Sequence, residues 1–279
     1  LFGLVGCASM EDSIVFHPAT YADMPPTPGV TAADVDLPLA NDVKVHARWY
    51  PQDGAKGTVL YCHGNAGNLE DRAEAIKQLR SFLGMNVLIF DYPGYGKSTG
   101  TPSEAGCYAA ADAAYNWLAV NKGVTPTTLI LYGESLGGAV AVDLASRMPH
   151  EILVLNRTFT SIPDVADYQM PLLPNSMLMH NRFDTLSKIS KCPCPVFIAQ
   201  AEKDTIVPLR QGQQLKAACQ APSAIFLMRG IGHNEPPTTE FYLRLRAFLA
   251  DPANRGGATK NTWPTATAVA TASPAIRNP

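Results

Sequence analysis

Gly133-Glu134-Ser135-Leu136-Gly137 sets a serine between two glycines. It comes directly after the apolar run Leu129-Ile130-Leu131-Tyr132 and directly before the small residues Gly138, Ala139 and Ala141. This order predicts a buried strand, a sharp turn and a helix opening at Leu136. The turn would hold Ser135 in a strained backbone shape, its hydroxyl at the sheet edge near the positive end of the helix. A hydroxyl is a weak nucleophile until a base takes its proton. Of the six histidines, His233 lies in the glycine loop Gly230-Ile231-Gly232-His233-Asn234 after the last apolar run, where it can reach back over the sheet edge. An imidazole base needs an acid to fix its tautomer and stabilise its charged form. Asp204, in Gln200-Ala201-Glu202-Lys203-Asp204, follows another apolar run and completes the chain order Ser, Asp, His. Glu202 is the rival acid, but its turn position reads as a solvated charge. An oxyanion needs backbone N–H donors. The amide of Leu136 is one candidate. The other is Asn65, with Ala66 next, in the loop His63-Gly64-Asn65-Ala66-Gly67-Asn68. His63 is read as a brace for that loop. The chemistry is acyl transfer through a covalent intermediate on Ser135, and it requires neither a metal nor a cofactor.

Blander readings stand beside these. The glycines around Ser135 also suit a plain strand-to-helix turn, and His233 also suits a solvated loop. Gly96-Lys97-Ser98 looks like the end of a phosphate loop. G-x-x-x-x-G-K-[ST] would need glycine at position 91, which is Asp91. Asp91-Tyr92-Pro93-Gly94-Tyr95-Gly96 is instead read as an ordered strand-exit loop beside the site.

These residues need elements to hold them. Val43, Val45, Ala47 and Trp49 alternate with Lys44, His46 and Arg48, which predicts a half-exposed antiparallel strand. Short apolar runs follow at 59–62, 87–90, 129–132, 152–155, 196–199 and 224–227. Helical patterns stand between or after them, near 69–83, 103–121, 136–147, 209–219 and 237–250. Continuous apolar strands alternating with helices predict an α/β fold, a mostly parallel twisted sheet covered on both faces. Residues 157–191 interrupt the alternation with Pro163, Pro171 and Pro174 and the apolar Met170, Leu172, Leu173, Met177, Leu178 and Met179. Long insertions in compact domains are usually functional, so this one is expected to act as a small lid over Ser135. Its apolar side chains either line an acyl site or pack against the sheet.

The chain has 279 residues, 46% of them hydrophobic, enough for one sizeable core. With 16% charged residues and a net charge of -2, it lacks the basic footprint of a nucleic-acid binder. Residues 1–34 are read as an N-terminal segment, extended and rich in Pro, Ala and Thr over 8–33. Residues 35–251 are read as the domain, and 252–279 as a disordered tail of Ala, Thr, Pro, Gly and Asn without periodicity. The chain opens on Leu1, so its natural start is expected to lie upstream. Leu4-Val5-Gly6-Cys7 resembles a bacterial lipobox, which makes Cys7 the candidate for lipidation. The expected location is then the membrane of a bacterial cell envelope, with the cytoplasm as the alternative. A chance cysteine after an apolar anchor is the plainer reading. The six cysteines are not in metal-site spacing; Cys192-Pro193-Cys194 has one residue between the sulfurs. Were the protein exported, one disulfide would be possible among them, with no pair named by the sequence.

Six motifs in order resemble the Bem46-like branch of the α/β hydrolases, which holds the α/β-hydrolase-domain-containing 13 and, more distantly, 17 proteins. They are His63–Asn68, Asp91–Ser98, Gly133–Gly138, Phe159-Thr160-Ser161, Asn181-Arg182-Phe183-Asp184 and Gly232-His233-Asn234. The resemblance covers about residues 35–250. It implies the α/β-hydrolase fold, the Ser135, Asp204 and His233 triad, and the membrane association of many relatives. Relatives carry His-Gly where this chain has Gln200-Ala201, and Asp where it has Glu235. Neither change removes a catalytic group. The expectation is a serine hydrolase of esters or thioesters, acting on a small or acylated substrate. A peptidase and a non-catalytic, membrane-anchored interaction protein are the alternatives.

Overall fold

The computed structural model describes residues 11–19, 31–173 and 179–255. Among them, one sheet is formed by β1 (Ala33–Pro38), β2 (Lys44–Tyr50), β3 (Thr58–Cys62), β4 (Asn86–Phe90), β5 (Leu129–Glu134), β6 (Ile152–Asn156), β7 (Val196–Ala201) and β8 (Ser223–Met228). Their spatial order is β8-β7-β6-β5-β3-β4-β2-β1. The β1–β2 and β2–β4 pairs are antiparallel. All others are parallel. β3, β6 and β7 are buried along their whole length, which is why they read as unbroken apolar runs.

The helices are α1 (Ala73–Leu83), α2 (Glu104–Lys122), α3 (Leu136–Ala145), α4 (Ile162–Gln169), α5 (Thr185–Ile189), α6 (Leu209–Ala218) and α7 (Thr239–Ala250). Ile76, Leu79 and Leu83 of α1 and Phe241, Tyr242 and Leu245 of α7 fill the core on one face of the sheet. Helices α2, α3, α5 and α6 contribute to the core on the other. In α1 the apolar residues recur at three and four positions, the spacing of one helix face. Helix α3 is buried throughout, so it has no polar stripe. Hydrogen bonds fix where helices begin: the Ser103 hydroxyl accepts from Gly106 N at 3.0 Å before α2.

β2 departs from the half-exposed strand expected of it. His46 and Arg48 are buried. Their face is covered by carboxylates rather than water. Arg48 Nε meets Asp34 Oδ1 at 2.6 Å, and Nη1 meets Glu70 Oε1 at 2.5 Å. His46 Nε2 is 3.3 Å from Asp34 Oδ2, and Nδ1 is 3.5 Å from Asp91 Oδ2. Burial works against the Asp34 charge. The Arg48 and His46 side chains outweigh it and hold Asp34 at about 2.

The N-terminal segment is not wholly extended, and the boundary expected at 35 falls inside β1, whose Ala33 pairs with Trp49. Residues 11–15 make a helical turn, and Val15 and Phe16 enter the core. This strap is tied at both ends. Glu11 accepts from the amides of His180 at 2.8 Å and Asn181 at 2.6 Å. His17 N donates to Asn65 O at 3.0 Å, Ala19 N donates to Gly67 O at 3.1 Å, and Asn65 Nδ2 donates to Val15 O at 3.0 Å. Cys7 lies outside the described residues. At the other end, Pro252–Asn254 forms a turn, with Asn254 Nδ2 donating to Phe248 O at 3.1 Å. The ordered chain therefore runs past the expected limit at 251. The remainder of the tail, 256–279, lies outside the described residues.

The 157–191 insertion carries α4 and α5. α5 packs against α3 and α6. Met179 packs on the core, whereas Met170 and Leu173 are half exposed and Leu172 is 96% exposed. Those three therefore do not pack against the sheet. Met177 and Leu178 lie outside the described residues. Among the described residues, Cys62, Cys107, Cys192, Cys194 and Cys219 are free thiols, so no disulfide joins them.

Candidate active site

Ser135 stands between β5 and α3 with φ 52 and ψ -119, a left-handed conformation rare outside glycine. Its amide donates to Asn156 O of β6 at 2.9 Å. Such a tight turn needs small neighbours. A Cβ on Gly133 would lie 2.4 Å from Gly137 O, and one on Gly137 would lie 2.1 Å from Cys62 O at the end of β3. Those glycines let the turn, α3 and the loop after β3 come together.

The loop after β8 brings His233 over this turn. Ser135 Oγ is 3.0 Å from His233 Nε2. His233 Nδ1 is 2.7 Å from Asp204 Oδ2 in the loop after β7. The other Asp204 oxygen accepts from the amides of Ile206 at 2.9 Å and Val207 at 2.7 Å. Asp204 is thus fully engaged, with one oxygen for its own loop and one for the imidazole. Glu202, the rival acid, is exposed and accepts from Gly230 N at 2.9 Å instead.

The loop after β3 lies alongside, because a Cβ on Gly64 would sit 3.7 Å from Ser135 Cβ. Asn65 O accepts from Tyr95 OH at 2.7 Å and from His17 N at 3.0 Å, which pins that peptide. Among the described residues neither the Asn65 amide nor the Leu136 amide has a protein acceptor. For Leu136 this follows from its place in the first turn of α3. His63 is fully buried. Its Nδ1 is 2.7 Å from Gly64 O and its Nε2 is 3.4 Å from Asp91 Oδ1, while Tyr92 OH donates to its carbonyl at 2.7 Å. These contacts brace the loop. Asp91 is held below the ordinary carboxylate range: burial opposes its charge, and His46, His63 and the Leu69 amide outweigh burial.

Two charged residues beside the site were not singled out from the sequence. Glu134, just before Ser135, accepts from Tyr61 OH at 2.5 Å and lies between Arg72, at 3.8 Å, and Arg157, at 3.4 Å. Burial works to neutralise Glu134, and the two guanidinium groups outweigh it and hold the carboxyl below its usual range. Arg157 also donates from Nη1 to the carbonyl of Glu235, two residues past His233. The local signal was the motif neighbour of each: Glu134 lies inside the serine motif, and Arg157 two residues before Phe159. The insertion touches the site through Gln169 Nε2, which donates to Thr205 O at 2.6 Å beside Asp204.

Comparisons with known proteins agree with this architecture. A family model described as the alpha/beta hydrolase fold matches residues 57–179. The uncharacterized protein Rv2307c of Mycobacterium tuberculosis is 37% identical over 240 residues, 81% of this chain and 85% of that one. The human alpha/beta hydrolase domain-containing protein 17B is 34% identical over 199 residues, 70% of this chain and 67% of that one. Among solved structures, the esterase Pf2001 of Pyrococcus furiosus superposes with a TM-score of 0.69 at 20% identity, covering 84% of this chain and 96% of that one. Sheet order, the tight serine turn between β5 and α3, and the relatives thus converge: the chain belongs to the α/β-hydrolase family.

Proposed function

We propose that this protein is a serine hydrolase that cleaves a carboxylic ester or thioester through an acyl-enzyme on Ser135. The observation that carries this reading is the continuous relay from Ser135 Oγ through His233 to Asp204, at 3.0 and 2.7 Å. His233 Nε2 takes the Ser135 proton as Oγ attacks the acyl carbon. The oxyanion that forms is met by the amides of Asn65 and Leu136. Collapse of the intermediate expels the alcohol or thiol, which takes the proton back from His233. Water, deprotonated by the same imidazole, then releases the acid and frees Ser135. The alpha/beta hydrolase and esterase names among the similar proteins support the same class.

Fluorophosphonate probes react covalently with an activated serine. The purified protein should be labelled, and Ser135→Ala should abolish labelling while the fold, read by circular dichroism, is kept. Undiminished labelling of the variant would move the nucleophile elsewhere.

A further inference from the structure

Arg157 follows β6 and has φ 55, in the left-handed region that a non-glycine residue seldom occupies. Strain of that kind persists only where surrounding structure imposes it, and it clusters at functional sites. The surroundings here are specific. The Arg157 amide donates to Ala199 O of β7 at 2.8 Å, and its side chain is 2% exposed. Nη1 donates to the carbonyl of Glu235. Nη2 reaches Glu134 Oε1 at 3.4 Å. Each partner belongs to one half of the relay. Glu134 directly precedes Ser135. Glu235 follows His233 by two residues, and its carboxylate accepts from Gly232 N at 3.1 Å, closing the loop that carries the base. One planar fork therefore spans the nucleophile turn and the base loop.

We propose that Arg157 is a positioning residue that sets the separation of Ser135 and His233 by bridging the Glu134 carboxylate and the Glu235 carbonyl. It rests on the reading of Ser135 as nucleophile and His233 as base. A guanidinium suits the task because it offers donors at fixed angles to two acceptors at once, which a lysine ammonium does not. Charge balance alone does not account for the arrangement. Arg72 already stands 3.8 Å from the Glu134 carboxylate, and the bond to Glu235 goes to a neutral carbonyl.

The test compares wild type, Arg157→Met, Arg157→Lys and the double variant Arg157→Met with Glu134→Gln. It measures kcat and KM on p-nitrophenyl butyrate, the rate of fluorophosphonate labelling, and the thermal midpoint. A small displacement of reacting groups costs about 100-fold in rate. Arg157→Met should therefore lose about 100-fold in kcat and in labelling rate, with KM within about threefold of wild type. Arg157→Lys, able to serve one partner only, should lose about tenfold. The double variant removes the part-buried carboxylate that an electrostatic role would serve, and should stay as impaired as Arg157→Met. The proposal is overturned if folded Arg157→Met keeps kcat within about threefold of wild type, or if the double variant recovers it. Should Arg157→Met fail to fold, Arg157→Lys decides by the same measure, and unchanged kcat overturns the proposal. Failure of the serine-hydrolase reading looks different, because wild type itself would then escape labelling.

Discussion

Replacing Asp204 by asparagine changes one atom and should cost most of the activity, because the structure leaves the new amide no choice of orientation. Asp204 Oδ1 accepts from the amides of Ile206 and Val207. An asparagine must keep its oxygen there, since its NH₂ group would otherwise face two N–H donors. Its nitrogen then points at His233 Nδ1, where Oδ2 stood at 2.7 Å. A donor at that place forces Nδ1 to accept and moves the ring proton to Nε2. That nitrogen lies 3.0 Å from Ser135 Oγ and would offer a proton instead of taking one. The anion that stabilises the imidazolium is lost as well. For charges about 4 Å apart at an effective dielectric of about 20, its loss is worth about 4 kcal/mol, or about 10³ in rate. With the wrong tautomer added, Asp204→Asn should reduce kcat by about 10⁴ while KM hardly moves. Glu202→Gln is the control, because Glu202 serves only the Gly230 amide; it should stay within about twofold of wild type. The assay is steady-state hydrolysis of p-nitrophenyl butyrate, with fluorophosphonate labelling as a second readout. Retention of more than a tenth of kcat by Asp204→Asn, or an equal loss in Glu202→Gln, would refute the assignment of the acid.

Two further outcomes follow from buried and exposed groups. Burial pushes His150 down to about 4 from 6.5, so only the unfolded chain takes up its proton as pH falls below 6.5. Stability should therefore be full above that value and fall by about 2 kcal/mol on going to pH 5, above the range where the depressed carboxyls titrate. Urea unfolding at pH 7 and pH 5 should show this loss in wild type and a smaller one in His150→Leu; equal losses would rule His150 out. Met170, Leu172 and Leu173 are exposed on the insertion tied beside Asp204, and the proposed ester chemistry makes them a candidate path for the acyl chain. kcat/KM should rise from p-nitrophenyl acetate toward medium chains, by up to about fourfold per buried CH₂. A profile that is flat, or that Met170→Ser with Leu173→Ser leaves unchanged, would make the insertion structural cover.

Ser135, Asp204 and His233 are legible in the sequence because each sits at a strand end in a short motif whose shape is local. A serine between glycines after an apolar run carries its own turn, and the chain order of acid and base does the rest. Arg157 and Glu134 sit in or beside such motifs, but at positions whose residue type the motif shape does not dictate. Their roles arise where the ends of β5, β6 and β7 meet the loop after β8, a juxtaposition that no window of sequence contains. His46 and Arg48 mislead for a related reason. Alternating polarity implies water on one face, whereas Asp34, Glu70 and Asp91 arrive there from three different places in the chain. Val15-Phe16 is too short, and too close to a proline-rich stretch, to announce that it packs into the core. The apolar insertion shows its composition in the sequence but not which part of it, α5, closes against α3 and α6.

The strap formed by residues 11–19 gives the molecule a mechanical property. It holds Asn65 and Gly67 at one end and His180 and Asn181 at the other, so it joins the loop beside Ser135 to the insertion. A pull on the chain ahead of Glu11 is delivered first to these hydrogen bonds and not to the sheet. Tension there would act on the loop beside Ser135 and on the insertion together. A protein trimmed back to β1 would keep its three relay side chains and lose the cord that ties that loop to the insertion.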